Sequence, residues 1–342
     1  MFFLAHFYIK ILQKIKKILI VIQRSNGDVF LSLKLINELF KFYQYPKIDL
    51  LINDDTYPLA KLLPNINSIY QFSYTKKRNS RISQEVQIIK NIFRKYDLSI
   101  NLTSSDRSVL YALFASSNSI SAIENNHTKS WWKKLLLKNY YYFDNKRHIL
   151  LNNLSPLSLL GINYDCKQDS IPASKSTLDK IQVKLKELSI KNFIIFHPSA
   201  QYEYKIYPIH LRNKLIEFLQ SMGVSIIITG SKNNIDQNIK NEVPLLSNVY
   251  NFIGETSIEE YIALSQLSSA YIGMDTLNMH ISASQNKRLF TIFGPSNLKM
   301  WSPWSNSMKM AAKEDMPLQT YGNITIFQAA LPCVACGMAG CD

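Results

Sequence analysis

The 342-residue chain contains no unbroken run of about 18 apolar residues, so no helix is expected to cross a bilayer. Glycine is scarce, with 10 residues in the chain, and no Gly-x-Gly-x-x-Gly follows a strand-like run. A Gly-Lys-Ser/Thr phosphate loop is also missing. These absences argue against a nicotinamide dehydrogenase and against a P-loop phosphoryl-transfer enzyme. Only four cysteines occur: Cys166, and Cys333, Cys336 and Cys341 in the tail CVACGMAGCD. Tetrahedral zinc needs a fourth ligand, and only Asp342 or the distant Cys166 offers one. Free reduced thiols are therefore expected, with no metal assigned, and the cytosol is the default compartment. Acidic residues are in deficit, 25 against 39 Lys and Arg, for a formal charge of +14. Such a surface concentrates anions: nucleotides, nucleic acid or acidic lipid. No helix-turn-helix, zinc-finger or RNP-type pattern accompanies the charge, so no specific nucleic-acid partner is expected.

What is present begins with MFFLAHFYIKILQKIKK. Its positive charges follow the apolar part and no small-residue cleavage site appears, so residues 1–16 read as an amphipathic extension rather than a signal peptide. It suits either a membrane surface or a helix packed on the first domain. A second basic stretch, HTKSWWKKLLLKNYYYFDNKRH from His127 to His148, interleaves lysines with Trp131, Trp132 and Tyr140 to Tyr142. It fits a membrane interface or an amphipathic anion, and a solvated helix whose aromatics enter the core is the plainer reading.

From Lys17 onward short apolar runs alternate with helical patterns. KILIVI (Lys17 to Ile22), IDLLI (Ile48 to Ile52), SIYQF (Ser68 to Phe72) and LSINL (Leu98 to Leu102) are strand-like. A second series runs through FIIFH (Phe193 to His197), VSIIITG (Val224 to Gly230), AYIGMD (Ala270 to Asp275) and RLFTIFG (Arg288 to Gly294). This alternation predicts two parallel α/β sheets in tandem. The join falls in the polar segment of residues 164–177, where Pro172 breaks any helix. The expected domains are residues 17–165 and 166–315, followed by a tail, 316–342, that packs back across the cleft. Ligands bind at the carboxyl edges of such sheets.

Candidate chemistry sits at those edges. In RSNGD, Asp28 lies at or just inside the start of a helix that continues through Leu39 and Phe40. A carboxylate there is an ordinary helix cap, or a catalytic group facing the cleft. In HPSAQYEYKIYP (His197 to Pro208), Ser199, Lys205 and backbone amides suit a phosphate, and a polar loop with a solvent lysine is the plainer reading. GMDTLNMH places Asp275 and Thr276 at a helix N-terminus and His280 one turn in, either as an anion site or as a cap with a core histidine. FGPSNLKMWSPW (Phe293 to Trp304) is a third loop of this kind.

In order, RSNGD, HPSAQYEYKIYP, the segment from Gly254 to Ala283 and FGPSNLKMWSPW resemble bacterial glycosyltransferase family 9, the heptosyltransferases of lipopolysaccharide core assembly. The tail cysteines are similar to those of many members. The resemblance implies an α/β fold of GT-B type, with two doubly wound Rossmann-like domains facing a cleft. It implies an inverting, metal-independent transferase without cofactor, with the acceptor in the N-terminal domain and the donor in the C-terminal one. It places Asp28 on the general base, Arg24 and Asn26 on the acceptor side, and Ser199, Lys205, Asp275, Thr276 and His280 on the donor phosphates; Asp236 is offered for the ribose. The implied partners are ADP-heptose or another nucleotide-sugar, and a lipid-linked anionic saccharide at the inner face of the cytoplasmic membrane. Leu277 stands where the family has glycine, and Ser199 replaces the glycine of its His-Pro-Gly motif. A UDP- or GDP-hexose transferase for surface polysaccharide, a silent scaffold and a basic nucleic-acid-binding protein are the alternatives.

Overall fold

The computed structural model describes residues 15–76, 78–125 and 127–329. Residues 1–14 of the amphipathic extension, and Cys333, Cys336 and Cys341, lie outside them. The chain divides into two compact units, Met1–Cys166 and Lys167–Asp342. No described helix is long and apolar enough to cross a membrane.

The first unit is a six-stranded sheet of β1 (Lys17–Ile22), β2 (Lys47–Asn53), β3 (Ile66–Phe72), β4 (Leu98–Asn101), β5 (Ser119–Ile123) and β6 (Asn139–Tyr142). Its spatial order is β3-β2-β1-β4-β5-β6, with every neighbour parallel. β1 needs its continuous apolar run because a central parallel strand is covered on both faces, and Ile18 to Ile22 are all inaccessible to solvent. On one face Leu19, Val21, Leu51 and Phe72 pack against Ile88, Ile92, Tyr111 and Ala115 of the helices Arg78–Ile92 and Asp106–Ala115.

The second unit contains β7 (Ile194–His197), β8 (Ile226–Ile228), β9 (Val249–Asn251), β10 (Ala270–Met274), β11 (Arg288–Phe293), β12 (Leu318–Tyr321) and β13 (Ile324–Gln328). Their order is β9-β8-β7-β10-β11-β13-β12, parallel except for the β12–β13 hairpin. Residues 318–328, read from sequence as part of a tail, are thus two strands of this sheet. Phe196, Ile226, Ile228 and Ile272 form its core with Ile216 and Ile239.

Both sheets reverse their winding beside their first strand, between β1 and β4 and between β7 and β10. That reversal leaves a crevice at the carboxyl edge, because successive crossovers depart in opposite directions. At the second crevice the backbones come unusually close. A Cβ added at Gly273 would lie 2.6 Å from His197 O and 2.6 Å from the Tyr271 hydroxyl. Gly273→Ala is therefore expected to destabilise the second unit by about 1–3 kcal/mol, the ordinary cost of overpacking. A lower urea midpoint, with no change in the spectral signature of the first unit, checks this.

Candidate functional site

The two crevices hold two clusters, one per unit. In the first, β1 ends at Ile22 and a five-residue helix, Asn26–Phe30, begins four residues later. Ser25 is its N-cap, and Asp28 is the third helical residue rather than the cap. The expected continuous helix is interrupted after Phe30 and resumes as Leu33–Phe42. Ser32 Oγ donates to Val29 O at 2.7 Å, a back-bond that competes with regular helix hydrogen bonding.

The Asp28 carboxylate is 2% exposed. Ser25 N and Ser25 Oγ both donate to its Oδ2, at 3.2 and 2.7 Å. Oδ1 lies 2.8 Å from Arg24 Nε but outside hydrogen-bonding alignment with it. It therefore has a counter-charge and no aligned donor. The Arg24 guanidinium stacks 4.6 Å over Phe143, which holds its plane in place. Asn153 Nδ2 donates to Asp28 O at 3.4 Å from the helix Ile149–Leu159. Asn26 Oδ1 is buried beside this cluster without a partner among the described residues. Asp28, Arg24 and Asn26, all selected from the sequence, thus share one short turn.

The second cluster is built by three strand ends. β7 delivers His197 and, two residues on, Ser199; β8 leads to the loop before the helix Asn234–Glu242; β10 leads to the helix Leu277–Ser284. Ser199 Oγ donates to Asp236 Oδ1, and Ser231 N donates to Asp236 Oδ2. Asp236 is 3% exposed. Its carboxylate ties the β7 loop to the β8 loop inside the unit, and a ribose contact would require it to turn outward. Lys205, on a single 3-10 turn, reaches Asp275 Oδ2 with Nζ at 3.3 Å. Lys205 is also the sole charged group among the described residues lining an otherwise largely apolar cavity of about 730 Å³, walled by Leu215, Phe290, Phe293 and Phe327.

Thr276 is the N-cap of Leu277–Ser284, and its side chain makes no capping bond. Its Oγ1 is buried without a partner, while the nearby Tyr271 hydroxyl donates instead to Met274 O at 3.2 Å. Asp275 immediately precedes this cap. The first turn of a helix presents backbone N–H groups and the positive end of the dipole, and here the cap leaves them to another acceptor.

Two histidines belong to this cluster. His280, one turn into the helix, has its pKa pushed down to about 4 by burial, and its Nδ1 has no hydrogen-bond partner. His197 was quoted in the sequence motif but not selected as a site residue. Burial also pushes its pKa down to about 4, against an opposing pull from Asp236. The neutral His197 ring meets Thr229 Oγ1 at 3.1 Å and Asn278 Nδ2 at 3.1 Å. Asn278 and Thr229 gave no sequence signal of their own, since their partner is 81 and 32 positions away. Together the cluster offers one ammonium, one open helix start and two neutral histidines beside the carboxylates of Asp236 and Asp275, which are engaged by Ser199 and Ser231 and by Lys205; the ammonium and helix start suit a diphosphate.

Comparison with known proteins gives the following. A sequence profile described as glycosyltransferase family 9 (heptosyltransferase) matches residues 86–326. Lipopolysaccharide heptosyltransferase 3 of Escherichia coli is 27% identical over 293 residues, 83% of this chain and 85% of that protein. A family 9 glycosyltransferase from Veillonella parvula superposes with a TM-score of 0.73 at 17% identity, covering 92% of this chain and 86% of that one. E. coli heptosyltransferase WaaC, solved with ADP, has a TM-score of 0.67 at 14% identity over 92% of this chain and 93% of its own. These superpositions support the two-domain GT-B type of fold, with two Rossmann-like units.

Both histidines titrate lower in the folded chain than the ordinary 6.5, so between pH 6.5 and 4 the unfolded chain binds more protons. Stability they contribute is intact above pH 6.5 and is lost as pH falls toward 4. Urea midpoints at pH 7 and pH 5 are expected to differ in that direction, and His280→Gln should flatten part of the slope.

Proposed function

Since the chain belongs to glycosyltransferase family 9, the heptosyltransferases, we propose that it carries a heptose from ADP-heptose to a lipopolysaccharide core acceptor, with inversion at the anomeric carbon and Asp28 as general base. The observation that carries this reading is the hydroxyl already seated on the carboxylate: Ser25 Oγ, 2.7 Å from Asp28 Oδ2. An O–H of a sugar in that place is within reach for proton transfer. Arg24 and Asn26 stand beside it on the acceptor side, where Asn26 Oδ1 can accept a hydrogen bond from an incoming hydroxyl.

The chemistry follows from these groups. As the acceptor oxygen attacks the anomeric carbon, its proton passes to Asp28, and the bond from that carbon to the donor phosphate oxygen breaks with its electron pair. Negative charge then grows on the departing diphosphate. Lys205 Nζ and the N-terminus of Leu277–Ser284 are the groups that stabilise it, with the Thr276 hydroxyl adding a donor and the Ser199 hydroxyl doing so only on leaving Asp236. Such fixed positive charge can serve in place of a divalent ion, so transfer is expected to proceed without metal. In the present structure Lys205 rests on Asp275, and a phosphate would compete for that ammonium. Asp236 acts by holding the Ser199 loop. ADP is favoured as the nucleotide because WaaC, of like fold, was solved with it. A lipopolysaccharide core acceptor is favoured because the 27%-identical relative carries that name. The acceptor is then a lipid-linked anionic saccharide met at the cytoplasmic face of the membrane.

Transfer assays with ADP-heptose, UDP-hexose and GDP-hexose, with EDTA throughout, test the assignment. ADP-heptose turnover that survives chelation is expected; selective use of UDP- or GDP-hexose would move the enzyme to another donor, and silence with all three would leave a non-catalytic member. Lys205→Ala is expected to lower kcat/KM about 10²–10³-fold, as for loss of one preorganised charge donor.

A further inference from the structure

The helix His127–Leu136 lies beside the edge strand β6, and its two faces divide sharply. Ser130, Lys133 and Leu137 point inward at 0%, 0% and 6% exposure. Opposite them Trp131, Leu135 and Leu136 are 65%, 76% and 56% exposed. At 100° per residue these three fall within a strip, an arc of about 140° that also holds the exposed Thr128 and the half-buried Trp132. Lys134 borders the strip on one side and Lys129 on the other, and Lys138 stands just past the helix end. Tyr142 of β6 is itself 43% exposed and carries Lys134 Nζ 5.3 Å over its ring. The sequence expectation that these aromatics enter the core therefore holds for Trp132 and Tyr140 and fails for Trp131.

The helix is firmly seated, so this face is a built surface and not a loose segment. Lys133 Nζ, fully buried, contacts Asp106 Oδ1 at 2.8 Å, Glu124 Oε2 at 2.6 Å and Ser104 O at 2.6 Å. The carboxylates of Asp106 and Glu124 are thereby engaged by a lysine on the inward face. Between residues 127 and 148 there are six Lys and Arg against one acid, Asp144. An apolar strip centred on Trp and Leu, rimmed by lysines and depleted of acid, has the chemistry of an interfacial helix on anionic lipid.

We propose that this face seats the first unit on an anionic bilayer, with Trp131, Leu135 and Leu136 among the headgroups and Lys129, Lys134 and Lys138 against lipid phosphates. The inference deepens the reading above by naming the surface that meets the membrane, and it rests on that reading only for why a lipid-linked acceptor would be there.

The test is sedimentation of the full chain with phosphatidylglycerol-containing and pure phosphatidylcholine vesicles at low and high salt. Quenching of tryptophan fluorescence by brominated lipid is read in parallel. Wild type is expected to prefer the anionic vesicles, to weaken at high salt, and to lose most of its quenching in Trp131→Phe. Trp131→Ser/Leu135→Ser/Leu136→Ser is expected to bind at least tenfold more weakly. Replacement of Lys129, Lys134 and Lys138 by Gln should abolish the preference for anionic lipid. Binding unchanged by the triple Ser substitution, or quenching unchanged by Trp131→Phe, would overturn the proposal and move the contact elsewhere in the chain. Self-association that the triple Ser substitution removes would overturn it too, as an interface between copies. Should that variant fail to fold, Trp131→Phe alone decides. Turnover on a deacylated, soluble acceptor, measured alongside, is expected to be unchanged in every variant; its absence in wild type would count against the function and not against the surface.

Discussion

A parallel strand can rejoin its sheet only by crossing over one face. When successive crossovers depart in opposite directions from the first strand, the loops at the carboxyl edge are forced apart. That constraint acts twice in this chain, beside β1 and beside β7, and every residue given a chemical part here follows one of the strands flanking a reversal or is tied to a loop that does. Asp28 follows β1. Ser199 and Lys205 follow β7, and Asp275, Thr276 and His280 follow β10. Gly273 leaves no room for a side chain between the His197 carbonyl and the Tyr271 ring.

The two clusters differ in charge. The first concentrates a carboxylate behind a hydroxyl and a guanidinium. The second keeps its histidines neutral through burial and leaves Lys205 and a helix start as its positive groups. Neutral histidines matter here. They donate or accept hydrogen bonds without adding charge, so under the proposed function the charge offered to a donor phosphate would be set by Lys205 and moderated by Asp275.

Much of this was legible in the chain because it is local. β1 was read to the residue, since a fully buried strand must be apolar throughout. β10 and β11 were read to within one residue of their ends. Each selected loop follows such a strand. The edge strands β6 and β9 escaped notice because half-buried strands need no apolar run, and β6 is spelled NYYY inside a basic stretch. β12 and β13 were hidden in what looked like a tail. Asp28 was seen, but not its role relative to Ser25, because a cap three residues earlier than expected changes the hydrogen bonds without changing the pattern. Asp236 was offered for a ribose, and its tie to Ser199 spans 37 positions, which only tertiary structure reveals. The pairing of His197 with Asn278 is hidden for the same reason.

The central claim is that Asp28 takes the acceptor proton and is more than a brace for the turn. Asn in its place keeps the shape and can still accept from Ser25 N and Oγ, yet it cannot act as a base. Heptose transfer at saturating donor and acceptor, compared between wild type and Asp28→Asn with matched unfolding midpoints, separates the two parts. A fall in kcat of about a hundredfold or more is predicted. An unchanged kcat in the folded variant would contradict the account and leave the carboxylate with a purely structural task.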